Sequence, residues 1–120
     1  MTPKILVVDH VKSLRGILRQ IINKMGYDVL EASNGAEAIH KYRDNKPVLT
    51  TMDLNMPDMN GIDVLRKIKE FDPGAKVVMC SALEQQSLII EAIHAGAKDF
   101  IPKPFHEQEM METMTKLLVI

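Results

Sequence analysis

The spacing of apolar residues along this chain switches repeatedly between strand-like and helix-like, and each switch marks an element. Lys4 to Val8 is a continuous apolar run rich in β-branched side chains and ended by Asp9, the pattern of a strand covered on both faces. Leu14, Ile17, Leu18, Ile21, Ile22 and Met25 then recur at helical spacing and Gly26 closes them, which predicts a helix with that stripe inward. Tyr27 to Ala32 reads as a second strand. Asn34 with Glu37 three residues on has the spacing of a capping pair, and predicts a short helix with Ala36, Ile39 and Tyr42 inward that stops before Pro47. Val48 to Met52 forms a third strand ending on Asp53. The Pro-, Asp-, Asn- and Gly-containing stretch 54–61 is a loop, and Ile62, Leu65 and Ile68 mark a helix ended by Asp72, Pro73 and Gly74. Lys76 to Cys80 is a fourth strand, Leu88 to Ala95 a helix closed by Gly96, and Asp99 to Ile101 a short fifth strand. Met110, Met114, Leu117 and Leu118 mark a last helix.

Five strands alternating with five helices call for an α/β, doubly wound parallel sheet with helices on both faces. In such sheets the ligand crevice lies beyond the carboxyl ends of the strands. A chain of 120 residues allows one domain, expected over 1–120. Fifteen Lys and Arg against sixteen Asp and Glu, with no basic run, argue against a nucleic-acid partner. No apolar stretch approaches the roughly 20 residues of a membrane-spanning helix, so no membrane insertion is expected and the chain reads as cytoplasmic. The lone Cys80 suits a reducing compartment and is expected to be a buried small hydrophobe.

The residues that end the strands carry the chemistry. Asp9 and His10 follow the first, Asp53 the third, Ser81 the fourth and Lys103 the fifth. Buried charge is costly unless paired, so carboxylates, a hydroxyl and a lysine meeting at one crevice need a joint account. Two carboxylates suit a hard cation such as Mg²⁺, lysine and serine suit phosphate oxygens, and an aspartate can itself be the nucleophile that forms an acyl phosphate.

Here the chain resembles the CheY-like receiver domains of two-component response regulators. The resemblance runs from Lys4 to about Leu117 and rests on VVDH at residues 7–10, MDLNMPDMNGID at 52–63, CSA at 80–82, AGAKDF at 95–100 and KPF at 103–105. It implies a flavodoxin-like sheet of strand order 2-1-3-4-5. It also implies Asp53 as phosphoacceptor, Asp9 and Asp53 with the backbone carbonyl of Asn55 around Mg²⁺, Ser81 and Phe100 as switch residues, and Lys103 on the phosphoryl group. The bond from Lys103 to Pro104 is expected to be cis. The implied partners are a histidine kinase and an output protein that reads the face formed by the fourth helix, fifth strand and fifth helix, as in chemotaxis.

Two positions depart from the family pattern. His10 stands where a second acidic residue ordinarily ligates Mg²⁺, and Leu83 lacks the polar group that some members place two residues beyond the switch hydroxyl. His10 leaves three readings open: a metal site weakened toward Mg²⁺, a pseudo-receiver that binds partners without phosphate, or a site redirected toward a transition metal. Other readings also stand: Asp53 as a turn cap, Ser81 as a helix cap paired with Glu84, and Phe100 as a plain edge-strand hydrophobe. At the level of function, a phosphorelay intermediate and a flavodoxin-like redox carrier remain as alternatives to a stand-alone receiver, which is a switch and not a turnover enzyme.

Overall fold

The computed structural model describes residues 2–82 and 85–119. In chain order the elements are β1 (Lys4–Val8), α1 (Lys12–Lys24), β2 (Asp28–Ala32), α2 (Gly35–Asn45), β3 (Leu49–Asp53), α3 (Gly61–Phe71), β4 (Val77–Ala82), α4 (Gln86–His94), β5 (Asp99–Lys103) and α5 (Glu107–Leu118). The five strands form one parallel sheet of order β2-β1-β3-β4-β5. The reversal of winding falls at β1 and β3, where Val8 is in register with Met52. Both strands are central and buried on two faces: Ile5 to Val8 of β1 are apolar, and β3 is buried along its whole length even though it carries Thr50, Thr51 and Asp53.

Alternate side chains of the strands build two cores. Leu6, Val8, Met52, Val77 and Met79 pack with Tyr42, Leu65, Ile68 and Ala92 of α2, α3 and α4. Ile5, Val7, Leu49, Val78, Cys80 and Ile101 pack on the other face with Leu18, Ile21 and Ile22 of α1 and Met110, Met114 and Leu117 of α5. Each fully buried Leu, Ile or Met contributes about 1.5–3 kcal/mol.

Local chemistry sets the ends of the helices. Gly26 (φ +91°) and Gly96 (φ +112°) both lie in the left-handed region, one residue past the caps of α1 and α4. The N–H of Tyr27 reaches Ile22 O at 3.3 Å, and that of Ala97 reaches Ala92 O at 3.0 Å, so the same doubly bonded turn ends both helices. Asn34 Oδ1 accepts from the Glu37 N–H at 2.8 Å, as its spacing predicts. Glu37 returns the contact to the N–H of Ser33 at 3.0 Å, one residue earlier than a reciprocal pair places it.

Several expectations shift in detail. Ile17 is 45% exposed, because the packed arc of α1 is narrower than its apolar stripe and Ile17 lies at the margin. In α2 it is Ala38 that is buried and Ala36 that faces solvent, since the face set by Tyr42 recurs at intervals of four. Val48 is an exposed bend before β3, still donating to Lys4 O at 2.9 Å. β4 and β5 run further than their apolar cores. Ser81 is paired with Pro102, and Ala82 with Lys103, so Ser81 and Lys103 are strand residues and do not follow the strands. The Lys103–Pro104 bond is cis.

Candidate functional site

The carboxyl ends of β1, β3 and β5 deliver Asp9, Asp53 and Lys103 to one point. Asp9 and Asp53 are almost fully buried, at 1% and 3% exposure, on the strands where the winding reverses. Lys103 Nζ donates to Asp9 Oδ2 and to Asp53 Oδ1, both at 3.1 Å. Burial works against the charge on Lys103, yet the facing Asp53 and Asp9 carboxylates outweigh it and hold the ammonium pKa above its ordinary value. Two buried carboxylates thus share one ammonium, which offsets part of the cost of burying them side by side.

The remaining oxygens of the two acids point elsewhere. His10 Nδ1 lies 3.3 Å from Asp53 Oδ2 and 4.0 Å from Asp9 Oδ1. Asp9 Oδ1 also accepts the N–H of Val11 at 2.9 Å, and the N–H of Asn55 points at Asp53 Oδ1 at 3.4 Å. Asp9, His10 and Asp53 each offer a ligand atom within 4.8 Å of the others. This donor set fits a divalent cation, since two hard carboxylate oxygens converge and the third donor is an imidazole nitrogen. The Ser81 hydroxyl is buried at the same edge and makes no hydrogen bond among the described residues. A buried hydroxyl without a partner is costly, so a group that arrives there with an acceptor gains by it. Phe100, in register with Met79, is half-buried and packs against the α2–α4 core.

Three further residues shape the site and stand out less in the sequence. Arg15 of α1 donates to the backbone carbonyl of Asp9 at 2.6 Å while its Nε holds Glu31 Oε1 of β2 at 2.9 Å, pinning the turn that carries Asp9 and His10. Asp58 accepts from the N–H groups of Gly35 at 2.8 Å and Ala36 at 3.0 Å, capping α2 from within the β3–α3 loop. Those two N–H bonds hold the Asp58 carboxyl below the ordinary carboxylate value. Gly61 lies so close to β3 that a Cβ there would meet Asp53 O at 2.1 Å. Arg15 sits in a helical stripe and carries no spacing signal, whereas Asp58 and Gly61 fall inside the 52–63 motif. Leu83 and Glu84 lie outside the described residues, and with them the reading of Ser81 as a helix cap.

The fold, the switch point and the clustered acids with their lysine define a class, and comparison with known proteins agrees. Residues 5–115 match the response regulator receiver domain, and the chain belongs to that family of two-component signalling switches. Its similarity is to CheY in particular. It is 49% identical to the chemotaxis protein CheY of Thermotoga maritima, over 98% of both chains. Against the chemotaxis protein CheY of Bacillus subtilis it is 47% identical, over 98% of this chain and 99% of that one. Among solved structures, a CheX-CheY-BeF3-Mg complex from Borrelia burgdorferi aligns with a TM-score of 0.92 and 33% identity, over 98% of this chain and 90% of that one. Receiver membership sets aside the flavin-carrier alternative that the shared topology raised. No helix among the described residues is long and apolar enough to cross a membrane.

Proposed function

We propose that residues 1–120 act in the cytoplasm as one receiver domain that takes a phosphoryl group on Asp53 from a histidine kinase and, so modified, changes its affinity for a partner protein, as in chemotaxis. The observation that carries this reading is the lysine bridge: Lys103 holds the Asp9 and Asp53 carboxylates together at 3.1 Å each, beside a buried Ser81 hydroxyl that has no partner among the described residues. In the transfer, a carboxylate oxygen of Asp53 attacks phosphorus, the bond from phosphorus to the kinase imidazole breaks, and the electron pair leaves with that nitrogen. Lys103 faces the charge that arrives, and the Ser81 hydroxyl is free to donate to a phosphoryl oxygen. A divalent cation would be held by Asp9 and Asp53, with His10 and the Asn55 carbonyl beside it. When bound, the cation neutralises phosphoryl charge.

The new charge biases a two-state element through contacts that differ between the states. Ser81 moves toward the phosphoryl group and Phe100 follows inward, altering the surface of α4, β5 and α5. That surface suits a protein partner, because Leu88, Ile90 and Ile93 of α4 are exposed at 37%, 62% and 44%. One observation favours a second reading. His10 Nδ1 stands 3.3 Å from Asp53 Oδ2 and so occupies one oxygen of the acceptor carboxylate, which favours a pseudo-receiver that binds partners without phosphate.

Mass spectrometry after incubation with acetyl phosphate and Mg²⁺ separates them. The expected result is uptake of one phosphoryl group by the wild-type protein and none by Asp53→Asn, which keeps the shape without the acyl-phosphate nucleophile. Equal labelling of the variant refutes Asp53, and an unlabelled wild-type protein refutes the phosphoacceptor reading in favour of the pseudo-receiver.

A further inference from the structure

We propose that Asp9, His10 and Asp53 form a site that takes a borderline transition ion of the Zn²⁺ and Co²⁺ class, with His10 Nδ1 as the ligand that turns selectivity away from Mg²⁺. The proposal shares Asp53 with the phosphoacceptor reading, but it concerns the unphosphorylated protein and stands or falls separately.

The carboxylates divide their oxygens between two side chains. Asp9 Oδ2 and Asp53 Oδ1 go to Lys103, while Asp9 Oδ1 and Asp53 Oδ2 face His10. An ion seated on the second pair leaves both lysine bonds in place. The Val11 N–H occupies one lone pair of Asp9 Oδ1, and an sp² oxygen has a second for a metal.

The spacing suits the smaller coordination shell. Four ligands at about 2.0–2.1 Å in a tetrahedron stand roughly 3.3 Å apart. His10 Nδ1 and Asp53 Oδ2 are already 3.3 Å apart, and Asp9 Oδ1 is 4.0 Å from the same nitrogen. The side chain of His10 is 45% exposed, so it is free to make the small approach that closes the set and to admit an ion from solvent. Three protein ligands leave a fourth position open, as in sites that also bind an exogenous oxygen. The donor chemistry then decides the ion. Mg²⁺ demands oxygen and sheds water reluctantly, whereas imidazole suits Zn²⁺, Co²⁺ and Ni²⁺. Replacing the imidazole with a carboxylate restores an all-oxygen set and reverses the preference.

Carboxylate oxygens bind transition ions as well as Mg²⁺, so the decisive quantity is how the ratio changes between variants. The exposed His40–Asp44 pair, 3.1 Å apart on α2, is a competing surface site, and all measurements are therefore made in a His40→Ala background. Isothermal titration with Zn²⁺ and with Mg²⁺, together with the visible absorption of bound Co²⁺, is compared for His10, His10→Ala and His10→Asp, with circular dichroism confirming that each is folded. The expected result is intense tetrahedral Co²⁺ absorption with His10, and a fall of roughly 10–100-fold in Zn²⁺ affinity in His10→Ala, with Mg²⁺ affinity little changed. In His10→Asp, Mg²⁺ binding tightens and the Zn²⁺-to-Mg²⁺ ratio drops at least roughly tenfold. A Co²⁺ spectrum and Zn²⁺ affinity unchanged in His10→Ala, or a ratio unchanged in His10→Asp, overturns the proposal whether or not Asp53 accepts phosphate.

Discussion

Adding one methyl group at Gly61 tests how tightly the strand that ends on Asp53 is held. A Cβ built there stands 2.1 Å from Asp53 O, 3.0 Å from its carbonyl carbon and 3.1 Å from Leu54 Cα, all of them backbone atoms that have no rotamer to retreat into. Ordinary contact begins near 3.4 Å, so the start of α3 and the end of β3 must separate by more than about 1 Å. Forcing a methyl into a packed site of this kind costs about 1–3 kcal/mol. The 2.8 Å bond from the Gly61 N–H to Leu54 O is stretched by the same movement, at a further ~1 kcal/mol. Better helix propensity of Ala returns only about 0.5–1 kcal/mol, leaving a net loss of roughly 1–3 kcal/mol. Because Asp53 is the residue displaced, a shift of about 1 Å should also slow its labelling by acetyl phosphate roughly 100-fold. Gly16 of α1 is the internal control, since a Cβ there meets nothing within 4 Å, and Gly16→Ala should stabilise by about 0.5–1 kcal/mol with labelling unchanged. Urea unfolding and labelling rates on both variants decide the matter. If Gly61→Ala matches wild type in stability and rate, the close approach of α3 to β3 is not what positions Asp53.

Two other predictions concern the cores. The Tyr42 hydroxyl donates to Asp72 Oδ2 at 2.7 Å, so Tyr42→Phe should cost about 1 kcal/mol in denaturant unfolding at neutral pH. Burial and then the Asp72 carboxylate push the Tyr42 phenol above its ordinary pKa, so the native state holds that proton more tightly than the unfolded chain. The resulting stability is present below about pH 10 and lost as pH rises past it; an alkaline unfolding profile identical in Tyr42→Phe refutes the coupling. Burial pushes the Cys80 thiol up to about 12, so iodoacetamide at pH 8 should leave the native protein unmodified and alkylate it only after unfolding, and rapid native alkylation contradicts the buried placement.

The sequence made the sheet and the polar strand ends legible because both depend on local pattern. Apolar runs such as 5–8 admit one burial pattern, and in an open parallel sheet the crevice follows from topology alone. What stayed hidden depends on how far a pattern extends and on what a side chain meets. Ile17 and Ala36 fit an apolar stripe by spacing, but only the packed arc decides which margin is covered. Ser81 and Lys103 are polar and so mark the ends of the apolar runs, whereas the hydrogen-bond ladder carries both strands past them. Arg15 was invisible for a different reason: its guanidinium reaches back to Asp9 O and across to Glu31, contacts that exist only once β1, β2 and α1 are in place.

The lysine bridge has a consequence for the order in which the molecule is made. Lys103 joins acids that lie 94 and 50 residues before it, and loops of that length close late. Strands β2, β1 and β3 are neighbours in the sheet and leave the ribosome first, so a nascent chain can assemble that half with Asp9 and Asp53 already facing each other. At that stage the two acids repel and no ammonium stands between them. Their repulsion is relieved only when β5 docks on β4 at the sheet's far edge, bringing Lys103 over the crevice. Translation thus delivers the bridging ammonium last, and a chain cut short before residue 103 lacks the cation that offsets the two acids.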